Sequence, residues 1–243
     1  MVDQSAVNRQ LAVLIDAENI PVSTLREVLD EIARLGAVSV RRAYGDFTMA
    51  SLKGWRAEML ALAIQPMQQF RNISGKSVTD STLIIDAMDM LHSRKFSGFC
   101  ILSSDSDFTR LAMRIREDGL PVYGFGEQKT PQAFVRACTK FVDIQLLRAD
   151  SAALNGAAKK KPAIGKPALK ILRAAVETVE DETGWASLGR VGAVLGSRHP
   201  EFDSRAYGFR KLSDLFIASE LVEYRLNGEK GGPQHAFVKL RRA

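Results

Sequence analysis

Cysteine is nearly absent. Cys100 and Cys138 are the only two in 243 residues, which excludes the disulfide framework of small secreted domains. Both sit in apolar surroundings, where core packing is the expected role. Histidine is as scarce. His92, His199 and His235 are scattered, so no His/Cys cluster offers a zinc site. Long apolar runs are missing too: no stretch approaches the ~20 uninterrupted apolar residues of a membrane helix. The polar start, Met1 to Gln10, lacks the apolar centre of a secretory signal. A cytoplasmic location with no membrane association is the expectation. Gly124-Phe125-Gly126 stands without the rest of a glycine-rich dinucleotide fingerprint.

What is present fits a globular protein, with 46% hydrophobic and 26% charged residues and enough length for two domains. The net charge of +6 is unevenly placed. Residues 1–150 hold 18 Lys/Arg and 18 Asp/Glu, whereas residues 151–243 hold 16 and 10 and so carry the whole excess. Four of those lysines (Lys159, Lys160, Lys161, Lys166) fall in an Ala-, Lys-, Gly- and Pro-rich stretch with no apolar period, which is a linker composition. Such a stretch is an electrostatic handle for phosphate backbones, or simply a solvated connector. The division expected is a domain over 1–150, a basic flexible linker over 151–166 and a second domain over 167–243.

The first domain alternates short apolar runs with helix-period segments. Strands are expected at Leu11–Ile15, Ala37–Ala43, Ile64–Phe70, Gly98–Leu102 and Pro121–Phe125. Helices are expected at Pro21–Leu35, Leu52–Ala63, Thr79–Ser93, Phe108–Glu117 and Gln132–Cys138. Strands apolar throughout, alternating with helices, predict an α/β fold with a parallel sheet covered on both faces. The second domain reads differently: helices over Ala168–Val179, Ser187–Ser197 and Ser204–Ser219, then apolar runs Leu221–Arg225 and Gln234–Leu240. The two runs are joined by Asn227-Gly228 and Gly231-Gly232, a hairpin signal. Three helices and a terminal hairpin predict a small winged helix-turn-helix domain.

Three places in the first domain gather carboxylates. Asp16 follows the run Leu11–Ile15 directly, and ligands of parallel sheets sit outside the carboxyl ends of the strands. Ending a strand is the bland role for the same residue. Asp105 and Asp107 follow Cys100-Ile101-Leu102 and reach the same edge. One of them suffices to cap the next helix, and two acids among three serines exceed that need. Asp80 heads the stripe Leu83, Ile84, Ala87, Met88 and Leu91, which is the buried face of its helix; Asp86 and Asp89 fall off the stripe and are expected to be solvated. A helix that follows a parallel strand begins at the carboxyl edge, so Asp80 should point toward Asp16, Asp105 and Asp107. Four convergent carboxylates repel one another, and a hard divalent cation such as Mg²⁺ would relieve this. On phosphodiesters such a site positions water and stabilises the leaving oxygen.

The stretches Val13-Leu14-Ile15-Asp16-Ala17-Glu18-Asn19-Ile20, Lys76-Ser77-Val78-Thr79-Asp80, Ile101–Phe108 and Gly119–Gly124, in this order, resemble an NYN domain of the LabA-like group, related to the PIN and FLAP nucleases. That resemblance covers residues 10–145. It implies a PIN-like fold and metal-dependent ribonuclease activity, with Asp16, Asp80, Asp105 and Asp107 holding Mg²⁺ or Mn²⁺. Asn19 would assist through water or phosphate, unless it caps the helix near Pro21. Residues 167–241 are similar to an OST-HTH (LOTUS) domain, through Gly184–Gly189, Phe202–Leu215 and the closing hairpin. That family implies a winged-helix fold and RNA binding, with protein binding in some members; a second copy of this chain is among the partners envisaged. Arg205, Tyr207, Arg210 and Lys211 lie on or near the third helix, where helix-turn-helix proteins place their reading surface. Basic groups there can meet phosphate and Tyr207 could stack on a base, although most of the neighbouring aromatics belong to the core.

The function expected is a metal-dependent ribonuclease to which the winged helix and lysine-rich linker recruit RNA. Lys76, Arg41 and Arg42 are candidates to grip phosphate, and surface solubility explains them equally well. The competing reading is a non-catalytic RNA-binding scaffold whose first domain holds an ion without turnover. A phosphatase reading of Asp105-Ser106-Asp107-Phe108-Thr109, with a nucleophilic Asp105, is disfavoured because the motif follows a late strand.

Overall fold

The computed structural model describes residues 10–70, 78–148, 164–227 and 234–241. Contacts divide the chain into two compact units, Met1–Ala152 and Ala153–Ala243. Most of the expected linker, and hairpin residues 228–233, lie outside the described residues.

The first unit is built on six parallel strands: β1 (Gln10–Asp16), β2 (Ala37–Gly45), β3 (Gln65–Gln68), β4 (Gly98–Leu102), β5 (Val122–Gly126) and β6 (Lys140–Asp143). Their order is β3-β2-β1-β4-β5-β6. Successive side chains of a strand face opposite ways, and in β1 this sorts the run into two cores. Leu11, Val13 and Ile15 pack on one side with α1 (Leu25–Ala33) and α2 (Trp55–Ala61). Ala12 and Leu14 pack on the other with α3 (Val78–His92), α4 (Thr109–Glu117) and α5 (Gln132–Ala137). Every residue of β4 and β5 is buried, as strands covered on both faces must be. β6 was not foreseen. It is four residues long and pairs only with β5. Its place depends on Gly124, where a Cβ would stand 2.6 Å from Cys138 Sγ and 2.7 Å from Phe141. The glycines of Gly124-Phe125-Gly126 thus serve close packing.

The strand order fixes where a site can form. The chain runs outward from β1 through β2 and β3, then returns to lay β4, β5 and β6 on the other side. The crevice at that reversal opens outside the carboxyl ends of β1 and β4.

The second unit contains α6 (Lys166–Val179), α7 (Leu188–Arg198) and α8 (Leu212–Ala218). They pack on an antiparallel sheet of order β7-β9-β8, formed by β7 (Trp185–Ser187), β8 (Val222–Asn227) and β9 (His235–Leu240). Leu172, Val176, Val191, Leu215, Phe216 and Val238 form its core. Two features depart from the expectation. The third helix does not run unbroken from Ser204: a 3₁₀ turn, Ser204–Tyr207, ends at Gly208 with φ 77°, and α8 starts only at Leu212. Glycine adopts that left-handed conformation without a Cβ clash, so the break is encoded locally. β7 is also additional, a three-residue strand pairing with β9.

Candidate functional site

Asp16 ends β1 and is 1% exposed. Its Oδ1 accepts the Glu18 backbone N–H at 3.1 Å. Its Oδ2 accepts Asn19 Nδ2 at 2.7 Å and Ser103 Oγ at 2.8 Å. Burial raises the pKa of Asp16; the Asn19 and Ser103 bonds pull it back, and the charge of Asp80 adds to the rise. The Asn19 side chain is therefore turned onto Asp16. The N-cap positions of the turn and helix that follow are Pro21 and Thr24, and neither side chain makes a capping bond.

Ser103, one of three serines in the stretch after β4, joins two parts of the site. Its hydroxyl donates to Asp16 and accepts the backbone N–H of Asp105 at 3.0 Å. Asp105 in turn caps the 3₁₀ turn Ser106–Phe108, its Oδ1 accepting the Asp107 N–H at 2.9 Å. The capping role and the edge position thus coexist in one carboxylate. Asp80 stands in the first turn of α3. Thr79, beside it, donates to Glu18 Oε1 at 3.3 Å, tying the helix start to the loop after β1.

Asp80, Asp105 and Asp107 each bring a carboxylate oxygen within 4.8 Å of the others. Asp80 and Asp105 are half-buried and Asp107 is exposed. Unit charges at such separations repel by about 1 kcal/mol per pair in bulk water and several-fold more near a protein surface. Among the described residues, neither Asp105 nor Asp107 has an ion pair with a lysine or arginine. Mg²⁺ holds oxygens at about 2.1 Å, hence about 3 Å apart when adjacent and about 4.2 Å when opposite. Small side-chain rotations would bring this trio to such spacings, and the all-oxygen donor set suits Mg²⁺ or Mn²⁺ rather than zinc. Asp16, expected in the same set, is not among the carboxylates that come within 4.8 Å of one another; it feels the charge of Asp80 and is linked to Asp105 through Ser103. Of its four lone-pair sites three are used, which leaves Oδ1 one position.

A cleft of about 420 Å³ opens at the loop after β1, lined among others by Glu18, Asn19, Pro21, Met49, Leu52 and Trp55 and by none of Asp16, Asp80, Asp105 or Asp107. A further buried acid, Asp46, follows β2 at the same edge. Its Oδ1 accepts Thr48 N at 3.1 Å and Gln68 Nε2 at 2.9 Å, which pins the turn leading to Met49.

Three other residues sit differently from expectation. Asp86 is not solvated: it pairs with Arg42 and accepts the Tyr44 hydroxyl. Arg42 is thereby committed within the fold. Arg41 donates to the Leu62 carbonyl at 2.8 Å. Neither arginine is left as a free phosphate grip. Lys76 lies outside the described residues. In the second unit, Arg205 forms a bidentate pair with Asp203, both side chains 11% exposed. Tyr207 stacks on Phe202 with ring centroids 5.9 Å apart. Arg210 and Lys211 are exposed immediately before α8.

The family model of the NYN domain matches residues 10–146. The chain belongs to the NYN domain family. The model of the OST-HTH/LOTUS domain matches residues 164–232, after the NYN domain. NYN domains are related to PIN nucleases, are usually ribonucleases and are generally dependent on divalent metal; OST-HTH/LOTUS domains bind RNA. The parallel sheet is accordingly a PIN-like α/β fold and the second unit a winged-helix-like domain. The role of the chain is nuclease-related and RNA-associated. A protein of unknown function from Vibrio parahaemolyticus, known from a crystal structure, is 18% identical over 58% of this chain and 96% of its own, with a TM-score of 0.49. An uncharacterized protein from Nitrosomonas europaea, known from a solution NMR structure, is 31% identical over 36% of this chain and 84% of its own, with a TM-score of 0.31. No curated protein matches the chain. Among the described residues, no helix is long and apolar enough to cross a membrane.

Proposed function

We propose that the chain is a metal-dependent ribonuclease that hydrolyses RNA phosphodiester bonds in its NYN domain, residues 1–150, on RNA recruited by the OST-HTH domain, residues 167–243. The carrying observation is the meeting of Asp80, Asp105 and Asp107, from two separate elements, at the crevice where the strand order reverses. These three would hold Mg²⁺ or Mn²⁺, with the remaining Oδ1 position of Asp16 completing the set. The bound ion would supply Lewis-acid polarisation of the phosphodiester and a more acidic water. Ser103 and Asn19 fix the Asp16 carboxylate, and Ser103 also fixes the turn that presents Asp105. Asn19 is exposed and spends its amide nitrogen on Asp16, so its amide oxygen would be available to orient water. The cleft toward Trp55 gives the strand next to the cut bond a place to lie. Lys76, Arg210 and Lys211 contribute phosphate contacts.

The test is cleavage of labelled single-stranded and structured RNA with Mn²⁺, Mg²⁺ or EDTA, comparing wild type with Asp105→Asn. Cutting that needs metal and is lost in the variant is expected. RNA bound by both proteins and cut by neither, in either metal, would replace the nuclease with a binding scaffold.

A further inference from the structure

The outer face of the second unit's sheet carries a group of side chains that the helix-turn-helix reading did not use. Residues two apart on a strand share a face. Ala186, Val222 and Val238 point into the core. Trp185, Arg225, Phe237 and Lys239 therefore point away from it, and the strand register sets Phe237 opposite Arg225 and Lys239 opposite Trp185. The Arg225 guanidinium carbon lies over the Trp185 ring, 4.3 Å from its centroid and 5.9 Å from that of Phe237. Lys239 Nζ is 6.0 Å from the Trp185 ring.

The group is held in place. The Asp181 carboxylate accepts the Thr183 hydroxyl at 2.6 Å and the Trp185 backbone N–H at 3.0 Å, which fixes the entry into β7. Lys239 Nζ donates to the Thr183 carbonyl at 2.7 Å. It runs so close to Gly184, at φ 80°, that a Cβ there would stand 3.2 Å from Lys239 Cε. Trp185 and Phe237 remain half-buried and Arg225 exposed. Among the described residues Arg225 has no carboxylate partner.

We infer that this sheet face, centred on Arg225 between Trp185 and Phe237, binds single-stranded RNA by stacking bases on the Arg225–Trp185 platform. A guanidinium over an indole can offer its outer side to a base and its N–H groups to phosphate. In a duplex the base faces are hidden, so the platform selects unpaired nucleotides. Arg225 and Lys239 outnumber Glu223, the acid of this face, which suits a polyanion. The surface first expected lacks such a platform, because Arg205 is held by Asp203 and Tyr207 is stacked on Phe202. The inference rests on the RNA-associated reading and not on cleavage.

The test uses the intact chain in EDTA with a fluorescein-labelled oligouridine and the same strand annealed to its complement. Binding is read from the anisotropy of the fluorescein label, and the Trp185 signal is the part of the tryptophan fluorescence change that Trp185→Phe removes. The unpaired strand is expected to quench Trp185 and the duplex to do so weakly. Trp185→Leu and Arg225→Ala should each weaken binding about tenfold, the scale of losing one stacked base. Arg225→Lys, which keeps the charge but not the plane, should weaken it comparably. Thermal melts would verify that each variant folds, with Trp185→Phe as the milder replacement. Unchanged affinity in folded variants, with Arg210→Glu plus Lys211→Glu abolishing binding, would overturn the sheet-face site and leave RNA association intact. No RNA binding by the wild type would overturn both. A dimer lost in Arg225→Glu while RNA binding persists would make the face a contact between copies and overturn the proposal.

Discussion

At the scale of single residues, Asp16 has the least comfortable position. Its pKa is raised by burial and by Asp80, so the folded apo-protein favours the protonated form more than the unfolded chain does. The associated stability is fully present below the unfolded carboxyl pKa, about 3.9, and is lost as pH rises through the raised folded value. Melting in EDTA is thus expected to fall more steeply with rising pH in wild type than in Asp16→Asn, whose amide does not titrate there. Mn²⁺ should raise the melting of wild type more than that of the variant. Melts across pH, with and without metal, check this. The cysteines make a simpler case. Burial pushes the Cys100 thiol above the ordinary range and Cys138 up to about 12, and a thiol reacts as its thiolate. Neither should react with an aromatic disulfide reagent in the native protein, and both should react in denaturant. The positions of Asp16, Asp80, Asp105 and Asp107 at one sheet edge were legible, because apolar runs mark strand ends and helix phase marks which residue faces inward. Their chemistry is a separate matter. What escaped was how they are held: nothing in a row of serines distinguishes Ser103, whose two bonds reach Asp16 and Asp105.

At the scale of elements, α3 is the one whose position matters most, since it carries Asp80. Six residues on, Asp86 ties the same helix to β2 through Arg42 and Tyr44. Burial and the neighbouring carboxylate hold the Tyr44 phenol well above its ordinary range. Asp86→Ala strands a half-buried guanidinium and a phenol, and should cost about 2 kcal/mol in urea unfolding. The partners lie 44 and 42 residues away from Asp86 in sequence, a separation that helix periodicity cannot see, which is why Asp86 reads as solvated from the sequence. Gly124→Ala should destabilise by about 1–3 kcal/mol, because the new methyl meets Cys138 Sγ and the Phe141 ring; the same unfolding measurement applies. Long, strongly periodic elements were legible from pattern alone. β6 and β7 were not, being four and three residues long and defined by the strands beside them. The break at Gly208 was hidden because the apolar spacing from Tyr207 to Phe216 continues across it.

At the scale of the whole molecule, the two units have separate cores and separate candidate ligands. Calorimetry should resolve this: Mn²⁺ is expected to raise the melting of the first unit and oligouridine that of the second, each ligand leaving the other transition in place. A ligand at 100 times its Kd stabilises its own unit by about 2.7 kcal/mol. A single transition moved by both would show the units to unfold together. Binding of RNA should also fall steeply with salt as phosphate contacts release counterions. The excess of basic over acidic residues after residue 150 is compatible with the RNA binding of OST-HTH/LOTUS domains and equally with a solvated connector.

The order of the parallel sheet has a consequence during synthesis. β1 is made first yet sits mid-sheet, and its far edge stays open until β4 is translated. The interval from Asp16 to Gly98 is 82 residues, on the order of 4–16 s at about 5–20 residues per second. Throughout it the nascent chain shows an unpaired edge of Leu, Val and Ile, the kind of template on which strands aggregate. Asp105 and Asp107 do not yet exist. The β1 edge is thus completed only when β4 pairs with it, and the acidic edge comes into being at the same step.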